Sequence, residues 1–130
     1  MTNNIEAENL EDVPAVSEYK AAFLACRGRL LTDKQLAMLK QNYYAPGHSV
    51  AAGDVARAVG FSTFSAANLQ YGKYAAHLCA ALKRKPSGSN LAILVTFSGG
   101  ERTNDENIKW TLLPQVAQAL EELGWVRKTE

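Results

Sequence analysis

Apolar residues recur at helical spacing through most of the chain and at strand spacing only in its last third. After Pro14 and Ser17, the residues Tyr19, Ala22, Phe23 and Cys26 stand at i, i+3, i+4 and i+7, the spacing of one buried helical stripe. "LTDKQLAML" predicts a second helix. Thr32 and Gln35 form a capping box, Leu31 and Leu36 a hydrophobic staple, and Leu36, Leu39 and Tyr43 the inward face. That helix must stop before Pro46, because proline disfavours the helical conformation in the residue before it. "SVAAGDVARAVG" predicts a short helix with Ala52, Val55, Ala56 and Val59 inward and Gly60 as a left-handed C-terminal residue. "FSTFS" is a tight connection in which one of Phe61 and Phe64 is expected in the core and the other partly exposed. A long helix then runs from Ser65, its expected N-cap, to Lys83.

The pattern changes after "KPSGSN". "LAILVTF" (Leu91 to Phe97) is an apolar run rich in β-formers, and "IKWTL" alternates Ile108, Trp110 and Leu112. Polar "SGGERTNDEN" joins the two as the tip of an antiparallel ribbon. Pro114 suits the first turn of a last helix whose inner stripe is Val116, Ala117, Leu120 and Leu123, with Gly124 as its cap and Trp125 and Val126 packing back. The order is helix, helix, helix–turn–helix, two strands, helix. This predicts an α+β, mostly helical, winged-helix-like domain over residues 16–130, preceded by a disordered acidic arm over residues 1–15.

The long helix carries the candidate function. At 100° per residue, Gly72, Ala75, Ala76, Cys79 and Leu82 gather on the side expected to face the core, and Gln70, Lys73, Tyr74 and His77 on the side expected to face outward. The second set has groove chemistry: glutamine pairs with adenine, lysine reaches guanine edges or phosphate, and tyrosine and histidine bond to phosphate. Ser62, Thr63, Ser65 and Asn68 are placed to meet phosphates near the helix N-terminus, and Arg57, Lys83, Arg84 and Lys85 to neutralise others. Arg102 would extend from the wing.

Charge sharpens this picture. The 130 residues carry a net charge of only +1. Yet residues 20–85 hold ten bases against two acids, Asp33 and Asp54, while residues 1–15 hold four acids and no base. The bases are expected to converge around the long helix, which points to a polyanionic partner, DNA foremost. A protein partner is the alternative, with the acidic arm and acidic tip engaging a basic surface.

Other chemistry finds little footing. His48, His77, Cys26 and Cys79 match no zinc spacing, and no metal or cofactor is expected. Both cysteines read as buried free thiols, without the activation a nucleophile needs, and suit a cytoplasmic protein. The glycine-rich "FSGGERTNDEN" lacks the lysine and the following helix of a phosphate loop. No constellation supports catalysis, and no apolar run is long enough for a membrane span.

The segments "YAPG", "VARAVG", "NLQYGK" and "ALEELGW", spread over residues 31–126, resemble a small module that precedes HNH-type nuclease domains in some bacterial restriction-like proteins. The resemblance implies a DNA-associated module in genome defence or its counter-defence, with Asn68, Gln70, Tyr71, Gly72 and Lys73 as its characteristic segment. No ββα-metal nuclease motif accompanies it here, so the implied role is binding without cleavage.

Overall fold

The computed structural model describes residues 13–27, 31–86, 88–99 and 106–128. The first twelve residues of the expected acidic arm, and most of the wing tip including Arg102, lie outside them. Helix α1 spans Val16–Cys26 and buries Tyr19, Ala22, Phe23 and Cys26, the stripe its spacing predicts. Helix α2 spans Asp33–Tyr44. Its capping box is formed: Gln35 N donates to Thr32 Oγ1 at 3.1 Å and Thr32 N to Gln35 Oε1 at 2.9 Å. Its buried face differs from the expected one. Gln35, Met38, Leu39, Asn42 and Tyr43 are inside, and Leu36 is only half-buried.

A 3-10 turn at Pro46–His48 leads into β1, Ser49–Ala51. Helices α3 (Ala52–Val59) and α4 (Phe64–Leu82) follow, separated by a turn that Gly60 enters at φ 93°, a region open to glycine at little cost. After a second 3-10 turn at Asn90–Ile93 come β2 (Val95–Ser98), β3 (Lys109–Leu112) and α5 (Pro114–Leu123). The expected strand over Leu91–Phe97 is therefore half turn and half strand. Ser89 Oγ accepts from Leu91 N at 3.1 Å and caps the turn, while the apolar side chains stay buried.

The sheet has three strands among the described residues, in the order β1–β3–β2, all antiparallel. The ribbon expected from the sequence thus gains β1, which pairs Ser49 with Thr111 and Ala51 with Lys109. The run α2–β1–α3–α4–β2–β3 with this strand order is a winged-helix-like arrangement, and α1 and α5 pack together as an addition to it. The start of α3 is tied to the base of the wing. Ala52 N donates to Ile108 O at 2.9 Å and Gly53 N to Glu106 O at 2.8 Å. A Cβ at Gly53 would sit 3.1 Å from that Glu106 oxygen, a tight contact that a side chain there could keep only if the neighbouring backbone gave way by a few tenths of an ångström.

Asn42 ties the framework together. Its Nδ2 donates to His48 O at 2.9 Å and Trp110 O at 3.0 Å, and its Oδ1 accepts from Tyr71 Oη at 3.0 Å. One fully buried amide thus joins α2, the turn before β1, β3 and α4.

Four tyrosines sit in or against this core. Burial drives the phenols of Tyr19, Tyr71 and Tyr74 well above the ordinary tyrosine range. Burial, aided by the bond from Tyr43 Oη to Glu121, pushes Tyr43 up to about 12. In the unfolded chain these groups ionise near 10. Above that pH the unfolded state releases protons that the native state keeps. Their contribution to stability is intact below about pH 10 and falls as the pH climbs toward the folded values. The phenolate absorbance of these four tyrosines is expected to appear together with loss of helical circular dichroism in an alkaline titration. Ionisation of these phenols with the helical signal intact would contradict the packing described here.

Candidate nucleic-acid interface

Helix α4 starts at Phe64, with Thr63 as N-cap: its Oγ1 accepts from Ala66 N at 3.1 Å. Ser65, the expected cap, is instead an exposed residue of the first turn. The buried face consists of Ala67, Tyr71, Tyr74, Ala75, Leu78, Cys79 and Leu82. That stripe keeps Ala75, Cys79 and Leu82 of the expected one but is turned from it by about 70°, so that Gly72 and Ala76 leave the core. The reason is volume. Tyr71 packs on Trp110 with ring centroids 5.0 Å apart, and Tyr74 packs on Phe23 at 6.3 Å. Two large rings fill more of the core than alanine and glycine can, and they decide the phase.

Several expected contacts change accordingly. Tyr74 is fully buried and reaches no groove. Gln70 is half-buried against α2, where its carbonyl accepts from Gln35 Nε2 at 3.1 Å and its side-chain oxygen lies 3.5 Å from the same nitrogen. His77 and Asn68 are half-buried on the two flanks of the helix. Arg84 turns away toward α1 and pairs with Glu18 at 3.5 Å.

What faces solvent is a stripe centred on Leu69, which is 56% exposed. Ser65 and Lys73 lie one turn to either side of it, both exposed, and Gly72, Ala76 and Ala80 complete the surface. Leu69 was not anticipated, although its opposition to Tyr71 and Leu78 at 100° per residue marks it as outward. Gly72 has no internal reason for lacking a side chain, since a Cβ there would meet nothing within 4 Å. The helix contains no acidic residue.

Ser62 and Thr63 are exposed at the N-terminal end, and Arg57 is exposed on α3, paired with Asp54. Lys34, also not anticipated, reaches from α2 across the turn between α3 and α4. Its Nζ donates to Gly60 O at 3.4 Å and lies 4.6 Å above the centre of the Phe61 ring. Phe61 and Phe64 are both half-buried against the core. Lys83, exposed in the left-handed conformation at φ 58°, and exposed Lys85 stand beyond the C-terminal end of α4. At 1.5 Å per residue, Lys83 lies about 15 Å further along the axis than Lys73.

The bases therefore do not all converge. Lys20 pairs with Glu122 at 2.9 Å and Arg27 covers the Trp125 ring, both away from the outer face of α4. Of the seven bases in residues 34–99, Arg84 turns to α1 and Lys40 lines a groove beside Trp125, which leaves Lys34, Arg57, Lys73, Lys83 and Lys85 on or beside α3 and α4.

A cleft of about 660 Å³ lies between α5 and the outer side of the sheet, lined by residues that include His48, Thr96, Thr111 and Glu121. Two of its polar residues, His48 and Glu121, are tied to Tyr43 at the end of α2. Tyr43 Oη donates to Glu121 at 2.6 Å, and His48 Nδ1 lies 2.6 Å from Tyr43 O with its ring stacked on Tyr43. These contacts lock the end of α2. Among the described residues, no three His, Cys, Asp or Glu side chains gather as a metal site requires, and no helix is long and apolar enough to cross a membrane. Burial pushes the thiols of Cys26 and Cys79 upward, the opposite of activation.

Comparison with family models, curated proteins and solved structures finds no match for this chain.

Proposed function

We propose that this chain is a non-catalytic nucleic-acid-binding domain that lays the N-terminal half of α4 in the major groove of double-stranded DNA. The observation that carries the reading is the outer face of α4: solvent-exposed, free of acids, with Lys73 one turn after Leu69 and hydroxyls at its N-terminal end. In helix–turn–helix proteins the second helix of the pair enters the groove and its first turns meet the bases. Here α3 and α4 form the pair, and Ser62, Thr63, Ser65, Leu69 and Lys73 occupy those turns. Lys34, over the turn between α3 and α4, and Arg57 on α3 would flank them and meet phosphates. The resemblance to modules that precede HNH nucleases agrees with a duplex partner and a role in genome defence.

Titration of a labelled duplex at several salt concentrations tests this. The logarithm of the affinity is expected to fall linearly with the logarithm of salt, with a slope of about 0.9 per phosphate contacted. Affinity indifferent to salt would reject the proposal.

The exposure of Leu69 beside Gly72 and Ala76 favours one second reading, a protein helix docked on the same face. Such a partner would be lost on Leu69→Glu, and duplex binding by the wild-type chain would be absent.

A further inference from the structure

Resting on that groove-docking reading, we propose that the domain recognises the C5-methyl groups of pyrimidines, thymine first, and that Leu69 is the specificity-determining residue. The described residues leave only three large apolar side chains exposed, Leu24, Tyr44 and Leu69, and Leu69 is the one at the centre of the surface that would meet base edges. The side chains suited to reading the hydrogen-bond code are turned elsewhere. Gln70 is held against Gln35, and Asn68 sits half-buried on the flank. Ser65 and Lys73 remain as polar groups, one turn before and one turn after Leu69.

An aliphatic side chain distinguishes base pairs in the major groove through the methyl group at pyrimidine C5. Contact with it removes apolar surface of both partners from water. Gly72 and Ala76, adjoining Leu69 on this face, add little bulk. The open space around Gly72 shows that no packing within the domain calls for its missing Cβ. A helix that can settle this close brings Leu69 down to the level of the C5 substituents. The ligand class is thus duplex DNA presenting 5-methylpyrimidines, thymine or 5-methylcytosine.

The test uses the full chain and two pairs of duplex that differ only in that methyl: poly(dA–dT) against poly(dA–dU), and poly(dG–5-methyl-dC) against poly(dG–dC). The methylated member of each pair is expected to bind more tightly, by about fourfold for each methyl covered. Leu69→Ala, at an exposed position, is expected to equalise the two members of each pair. Gly72→Leu is expected to weaken binding to all four. Equal affinity within both pairs, a preference that survives Leu69→Ala, or unchanged affinity in Gly72→Leu overturns the methyl inference and leaves groove binding standing. Failure to bind any of the four duplexes overturns the groove reading as well.

Discussion

Asn42→Ala is expected to cost about 3–5 kcal/mol of folding stability, a large share of the roughly 5–15 kcal/mol typical of a domain. The substitution strands three groups at once. Trp110 O lies in the buried sheet, His48 O ends the turn before β1, and Tyr71 Oη is sealed between α4 and α2. Each buried group left without a partner loses about 1–3 kcal/mol, with the higher end applying where water cannot enter. Tyr71→Phe alone removes one bond and is expected to cost about 1 kcal/mol. In the Asn42→Ala background it should cost close to nothing, because its hydroxyl is already unpartnered. Urea unfolding of the two single variants and the double variant measures this coupling. Additive losses would mean that Asn42 and Tyr71 act separately and that no shared network holds α4 against the sheet.

The parts of the fold that were legible in the sequence are those set by local spacing. The stripe of α1, the capping box of α2, the left-handed glycine after α3 and the alternation around Trp110 each depend on residues a few positions apart. β1 was not legible because three residues, "SVA", show no period, and the strand exists only through pairing with Thr111 and Lys109 far along the chain. The run at Leu91 shows the same limit in another form: a continuous apolar stretch satisfies burial equally as turn or strand.

The face of α4 failed for a different reason. Tyrosine has a polar tip on a large apolar body, and a polarity count places it outside while a volume count places it inside. Tyr74 illustrates the outcome: it stacks on Phe23, and its hydroxyl meets no hydrogen-bond partner among the described residues. Once Tyr71 and Tyr74 are assigned to the core, Leu69 and Gly72 turn outward by geometry alone. Lys34 lay beyond sequence reasoning, because its place beside the α3–α4 turn depends on how α2 crosses α3.

Lys73→Glu is expected to weaken duplex binding by about tenfold or more at low salt, and to lower the salt slope by about one unit. Lys73 stands one turn after Leu69 on a helix without a single acid, so reversal there puts a negative charge where the phosphates or guanine edges would come closest. The effect should shrink as salt rises, since the distance over which exposed charges act, about 10 Å at 0.1 M, shortens with added salt. Net charge alone would also change affinity, and Lys40→Glu controls for it. Lys40 is exposed on α2 and lines a groove with Leu31, Leu36 and Trp125, on a different surface from the outer face of α4. The two variants carry the same net charge, yet Lys40→Glu is expected to lose no more than about threefold. Neither side chain is buried, so both variants should unfold within about 0.5 kcal/mol of the parent, which thermal melting can verify. Equal losses for Lys73→Glu and Lys40→Glu would show that the polyanion senses the whole molecule and that α4 has no privileged face toward it.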